Sequence, residues 1–124
     1  MCGVAGFFPC SKTDNNISIL KSMSDALSHR GPDGEGFWSD GNIGLSHRRL
    51  SIFDLDLGSQ PMPSHSKKLI ISYNGEVYNF KSLRQELMAQ GIKFITNTDT
   101  EVVLESIEFW GLKKALSLFH GMFA

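Results

Sequence analysis

The chain opens on Met1-Cys2-Gly3-Val4-Ala5-Gly6-Phe7-Phe8, and no other stretch limits the fold as much. From Gly3 to Phe8 it is apolar throughout and thinned by glycine, which reads as a buried strand that another backbone approaches closely. A cysteine directly after the initiator methionine becomes the first residue once that methionine is trimmed, and its small side chain suits trimming. Thiol and free α-amine then share one residue. An α-amine with a pKa of roughly 7.7–8.0 is partly unprotonated near neutrality and can take the thiol's proton. Cys2 therefore offers a nucleophile and a general base without a separate histidine. The alternative is a small apolar residue in a core strand.

Beyond the first strand, short strands, glycine-marked turns and helices alternate. After a polar loop from Ser11 to Asn16, Ile17, Leu20, Met23 and Leu27 recur at helical spacing, with Ile19 and Ala26 beside them. That helix stops before His29-Arg30, because Pro32 and the glycines of Gly31 to Gly36 forbid its continuation. Phe37-Trp38-Ser39 and Ile43-Gly44-Leu45-Ser46 flank Asp40-Gly41-Asn42 and predict a hairpin. Ser51 to Ser66 reads as an ordered but irregular loop. Leu69 to Tyr73 reads as a strand, turned by Asn74-Gly75 into Glu76-Val77-Tyr78. Asn79 is a candidate cap for a helix with Phe80, Leu83, Leu87 and Met88 inward, closed by Gly91. Phe94-Ile95 reads as a short strand. Thr98 and Glu101 form a capping box for a helix running to Gly111, with Val102, Val103, Leu104, Ile107 and Phe109 as its apolar residues. Leu112 to Phe119 is a further helical piece, and Gly121-Met122-Phe123-Ala124 looks like the opening of a strand.

The 124 residues fit one domain with a real core. Hydrophobic content of 41% and charged content of 20% are those of a soluble globular protein. A net charge of −1 without a basic run excludes an electrostatic footprint for nucleic acid. No apolar segment approaches the roughly 20 residues that span a bilayer, and the start lacks the features of a signal peptide. Cys2 and Cys10 do not make a disulfide framework; they fit a reducing cytoplasm, with Cys10 an incidental thiol. His29, His47, His65 and His120 show no ligand spacing, so a metal site is not expected. The Gly31 to Gly36 loop lacks the lysine-serine and helix start of a phosphate cradle.

Attack of a thiol on an amide needs donors for the developing oxyanion, and a specific substrate needs groups for its charged ends. Asn74-Gly75 can supply a side-chain amide and an unhindered backbone N–H, although the same pair between apolar runs is also a hairpin signal. Arg49 can clamp a carboxylate bidentately, or be a surface arginine. Asp99 can hold a cationic amine, or answer the helix dipole at a first turn. Composition and spacing alone thus give a soluble α+β domain with a candidate cysteine nucleophile.

The joint pattern says more. Cys2-Gly3-Val4-Ala5-Gly6, His29-Arg30-Gly31-Pro32-Asp33, Arg49-Leu50-Ser51-Ile52 and Gln60-Pro61 occur in that order. Tyr73-Asn74-Gly75-Glu76-Val77-Tyr78-Asn79, Thr98-Asp99-Thr100-Glu101-Val102 and Gly121-Met122-Phe123-Ala124 follow. From Met1 to Ala124 these motifs closely resemble the N-terminal glutaminase domain of glutamine-dependent asparagine synthetases. That domain is a class II glutamine amidotransferase of the N-terminal nucleophile hydrolase superfamily.

The resemblance implies a four-layer αββα sandwich, incomplete at its C-terminus. It implies that Cys2 attacks the glutamine side-chain amide, with its α-amine as base and then acid, and that Asn74 and Gly75 form the oxyanion hole. It gives Arg49 the substrate α-carboxylate, Asp99 and Glu76 the α-ammonium, and the backbone of Leu50, Ser51, Ile52 and Phe53 the pocket wall. Every motif position matches, and Arg48 receives no role. Residues 1–124 would be a partial glutaminase domain without its synthetase domain, where ATP and magnesium would act; no cofactor is expected in the chain itself. The expected partners are L-glutamine and that C-terminal synthetase domain, with a homo-oligomer allowed and neither nucleic acid nor membrane involved. The strand edge left by a missing piece would favour weak stability or self-association. Transfer of ammonia to another carboxylate, such as a sugar acid, is a second reading. A non-catalytic glutamine-binding module is a third, and a fragment that does not fold alone a fourth.

Overall fold

Three antiparallel strands carry the start of the chain. In the computed structural model, which describes residues 2–8, 16–50 and 58–124, β1 (Gly3–Phe7), β2 (Gly34–Ser39) and β3 (Gly44–Arg49) pair in the order β1-β3-β2. The hairpin read around Asp40-Gly41-Asn42 joins β2 to β3, and Asp40 Oδ1 accepts from the backbone N–H groups of Asn42 and Ile43, both at 2.8 Å. The apolar first strand is not buried as expected. It lies at the edge of this sheet among the described strands, with Gly3 buried, Gly6 exposed and Phe8 exposed beyond it.

Helix α1 (Asn16–Ala26) covers one face of the sheet through Leu20 and Ser24, one turn apart and both fully buried. Ile17 and Ile19 are exposed instead. The polar loop read before this helix, with Cys10, lies outside the described residues apart from Asn16, which opens the helix. Side chains alternate along a strand, so Ser46 and Arg48 face α1 while Leu45, His47 and Arg49 face the other way. Arg48 has a clear role here. Its Nε–H donates to the Ser24 carbonyl at 3.1 Å, and its guanidinium meets Asp25 at 2.7 Å and Glu35 at 2.9 Å. The turn after α1 crosses β3 so closely that a Cβ on Gly31 would lie 2.6 Å from the Arg49 nitrogen, which only glycine permits.

The second half follows a different path from the one its dipeptides suggest. The expected irregular loop contains β4 (Met62–Pro63), paired with β5 (Ile70–Ile71), which is all that forms of the strand read over Leu69 to Tyr73. Asn74-Gly75 is not a hairpin turn. The chain runs straight through it into β6 (Gly75–Val77), which pairs with β7 (Gly121–Phe123), the strand expected at Gly121. Helices α2 (Phe80–Ala89), α3 (Asp99–Trp110) and α4 (Leu112–Leu118) close a core of Tyr73, Val77, Leu83, Leu87, Val102, Val103, Ala115 and Phe119. The described residues thus form a mixed α/β fold of four helices and small sheets.

Four local expectations need correction. Phe94-Ile95 is not a strand, because the N–H groups of Ile95 and Thr96 go to the buried Glu101 carboxylate at 2.8 and 2.6 Å. Glu101 therefore does not complete the reciprocal half of the capping box, although Thr98 does accept from the Glu101 N–H. The Asn79 side chain does not cap α2; it bridges to the Leu118 carbonyl and the His120 N–H, both at 2.9 Å. Met88, read as inward, is exposed, as is Phe109, while Leu83, Leu87 and the Val102 to Leu104 run are buried. No helix among the described residues is long and apolar enough to cross a membrane.

Candidate active site

Cys2 sits just before β1, and the pairing of Gly3 with Arg48 brings it beside the end of β3. Its sulfur lies 3.5 Å from the Leu50 backbone nitrogen and 3.9 Å from the Leu50 carbonyl. The Arg30 Nε–H donates to the Cys2 carbonyl at 3.3 Å, so the segment after α1 holds the residue from behind. The thiol opens on a cavity of about 560 Å³ whose wall includes Leu50, Gln60, Tyr73, Asn74, Gly75, Glu76 and Asp99.

The far wall is the start of β6. Asn74 and Ala124 exchange both backbone hydrogen bonds at 2.9 Å. Hydrogen-bonded and non-hydrogen-bonded positions alternate along an antiparallel pair, so Gly75, opposite Phe123, turns its N–H to the edge away from β7. Val77 does likewise and donates to Asp99 Oδ2 at 3.0 Å. Gly75 N–H has no acceptor among the described residues. Glycine is required there, because an added Cβ would fall on the Phe123 Cα and lie 2.5 Å from the Met122 carbonyl oxygen.

Asp99, at the first position of α3, also accepts from the Tyr73 hydroxyl at 3.2 Å on the same oxygen, Oδ2. Neither bond uses Oδ1. Burial, then the Asp99 carboxylate, drive the Tyr73 pKa far above its ordinary value, so the hydroxyl stays a donor. Glu76 and Asp99 bring two carboxylates to one wall, which suits a cationic amine. Among the described residues no group of three or more His, Cys, Asp or Glu side chains can hold a metal ion.

A family model described as a glutamine amidotransferase domain matches residues 1–124.

The chain belongs to that glutamine amidotransferase family.

Named relatives agree with it. The chain is 40% identical to asparagine synthetase [glutamine-hydrolyzing] 1 of Bacillus subtilis, covering 100% of the chain and 20% of that protein. It is 37% identical to asparagine synthetase B [glutamine-hydrolyzing] of Escherichia coli, covering 22% of it. It is 33% identical to asparagine synthetase [glutamine-hydrolyzing] 1 of Arabidopsis thaliana, covering 21% of it. The chain thus spans about a fifth of the length of the curated relatives it matches.

Of the residues singled out in this amidotransferase domain, Cys2, Leu50, Asn74, Gly75, Glu76 and Asp99 line one cavity. Arg49 is not in its wall; it ends β3 on the strand face that also carries His47. Ser51, Ile52 and Phe53 lie outside the described residues. Sequence reasoning gave no role to Arg30, Gln60 or Tyr73. Each stands inside a motif quoted for the resemblance, and that was the only signal, because a backbone contact made by a side chain leaves no trace in spacing.

Proposed function

We propose that this domain hydrolyses L-glutamine to glutamate and ammonia through a thioester on Cys2. The observation that carries the reading is the meeting of a thiol, an open backbone N–H beside an amide side chain, and two carboxylates around one cavity. With Met1 removed, the Cys2 α-amine takes the thiol proton as sulfur attacks the substrate's side-chain carbon. The oxyanion that forms is held by the Gly75 N–H and the Asn74 side-chain amide. The α-amine then returns the proton to the leaving nitrogen, and ammonia departs. Water, deprotonated by the same amine, cleaves the thioester to glutamate and restores the thiol. Asp99 and Glu76 receive the substrate α-ammonium, and Arg49 its α-carboxylate, with the backbone of Leu50, Ser51, Ile52 and Phe53 beside it.

The fold reading that goes with this is the αββα sandwich. In its support, α1 covers one face of the β1-β3-β2 sheet while His47 on the other face reaches the Tyr73 carbonyl at 3.2 Å. Beyond Tyr73 lie β6, β7 and the helices of the second core. The names of the relatives, and the fifth of their length that the chain spans, support a larger scheme in which residues 1–124 are part of the glutaminase domain of a longer protein, and a cytoplasmic location is proposed with it. A synthetase domain there, using ATP and magnesium, would spend the ammonia on the amidation of aspartate.

Intact-mass analysis before and after treatment with 6-diazo-5-oxo-norleucine, an electrophilic glutamine mimic, tests the site. Loss of one methionine and a single adduct on Cys2 are expected. An adduct on Cys10, or none on a trimmed chain, would defeat the assignment.

A further inference from the structure

Tyr73, the residue before the Asn74-Gly75 pair, is held by side chains at both of its backbone groups. Its N–H donates to Gln60 Oε1 at 2.6 Å, and its carbonyl accepts from His47 Nε2 at 3.2 Å. Two residues on, Gly75 N–H is open among the described residues, and Val77 N–H is taken by Asp99. On its other edge the same stretch is bonded to β7 as an ordinary ladder. Side chains from three separate segments therefore do on the cavity edge what a neighbouring strand does elsewhere. They leave one donor out.

We infer that Gln60 and His47 are positioning residues for the glutaminase reaction, standing in for a β-strand partner at Tyr73 so that the next open donor on that edge, Gly75 N–H, is aimed at the reacting carbonyl. The inference rests on the proposal that Asn74 and Gly75 receive the oxyanion. Gln60 suits this role, since its carbamoyl oxygen is fixed on Tyr73 and its nitrogen is steadied by the Thr100 hydroxyl at 3.5 Å. His47 is 3% exposed, and a carbonyl acceptor requires that Nε2 carry the proton. Burial, aided by the charge of Arg49 and opposed by the bond to Tyr73, lowers its pKa, so it donates as the neutral ring at pH 7. A bare strand edge here would be free to twist, and a shift of about 1 Å at such a donor can cost roughly a hundredfold in rate.

Steady-state glutaminase kinetics on the full chain test this with Gln60→Leu, Gln60→Glu, His47→Leu and His47→Gln. Gln60→Leu and His47→Leu should lower kcat by roughly tenfold to a hundredfold with KM for glutamine within about twofold. Gln60→Glu keeps the acceptor and His47→Gln keeps a donor, so each should recover most of the loss; Gln60→Ala serves if leucine crowds the cavity. Cys2 alkylation by iodoacetamide, which develops no oxyanion on an amide, should keep its rate in all of them. Wild-type kcat in both leucine variants, or an equal fall in alkylation, would overturn the inference. Asn74→Ala separates it from the reading beneath: retained kcat there removes the oxyanion assignment itself. A hundredfold loss there with normal leucine variants removes the clamp alone.

Discussion

The sulfur of Cys2 stands 3.5 Å from the backbone nitrogen of Leu50, although the two residues are 48 positions apart. The contact exists because β1 and β3 pair antiparallel with Gly3 opposite Arg48, which carries Cys2 past the end of the ladder to the residue that follows β3. Cys2, the nucleophile of the proposed reaction, is thus placed by the pairing of two strands, and rigid placement of this kind suits a reacting group.

Replacement of Cys2 by alanine should therefore separate chemistry from recognition. Glutamate release is expected to fall by at least about a thousandfold, since a covalent mechanism has no substitute for its nucleophile. Glutamine binding, followed by isothermal titration, should persist, because the carboxylates of Glu76 and Asp99 are untouched. Turnover by the variant near the parent rate would remove the thioester mechanism.

Asp99 invites a charge-only test. In Asp99→Asn the side-chain oxygen can still accept the Val77 N–H, so the start of α3 keeps its place. What is lost is the negative charge that would face the substrate ammonium. A hydrogen bond to a charged group contributes about 1.5–3 kcal/mol, so KM for glutamine should rise roughly tenfold to a hundredfold with little change in kcat. A fall in kcat at constant KM would place Asp99 in the chemistry instead.

Part of this fold is legible in the sequence, and the reasons are local. Thr98 and Gly111 bracket α3, and Asp40-Gly41-Asn42 closes the β2–β3 hairpin, because caps and turns are written in neighbouring residues. Asn74-Gly75 shows the limit. Nothing within the dipeptide reveals that Ala124, 50 residues on, bonds both backbone groups of Asn74 and draws the chain out of a turn into a ladder. Glu101 shows it again, since its reach to Ile95, Thr96 and His65 is a tertiary contact that overrides the capping box. Arg48 and Arg49 look alike in sequence, yet strand alternation sends one to α1 and the other to the opposite face.

Gly75→Ala should damage stability and rate together. The added methyl would meet the backbone of Met122 and Phe123, which no rotamer change relieves, so β7 must move. Overpacking of this kind costs about 1–3 kcal/mol, readable in urea unfolding. Because β6 carries the open N–H, kcat should fall at least about tenfold as well. A variant with parental stability and parental kcat would show that β7 does not lie against Gly75.

Glu101 gives the chain an acid sensitivity with a definite sign. Burial favours its protonated form, but that effect is outweighed by donors from Ile95 N–H, the Thr96 hydroxyl and N–H, and His65, which hold its pKa below the ordinary value of 4.5. A carboxyl whose folded pKa lies below its unfolded value contributes stability that is complete above the unfolded value and is lost as pH falls through the folded one. Unfolding free energy should therefore drop below about pH 4.5. Glu101→Gln offers one acceptor where four donors converge and turns an NH₂ toward the others. It should cost about 2–3 kcal/mol at pH 7 and lose the part of the acid slope that Glu101 supplies. His65 and Glu105 remain in the variant, as do the other carboxylates, so the difference between the two urea-unfolding profiles isolates Glu101. Parallel profiles across pH 3 to 7 would mean that its proton is not what couples acid to unfolding.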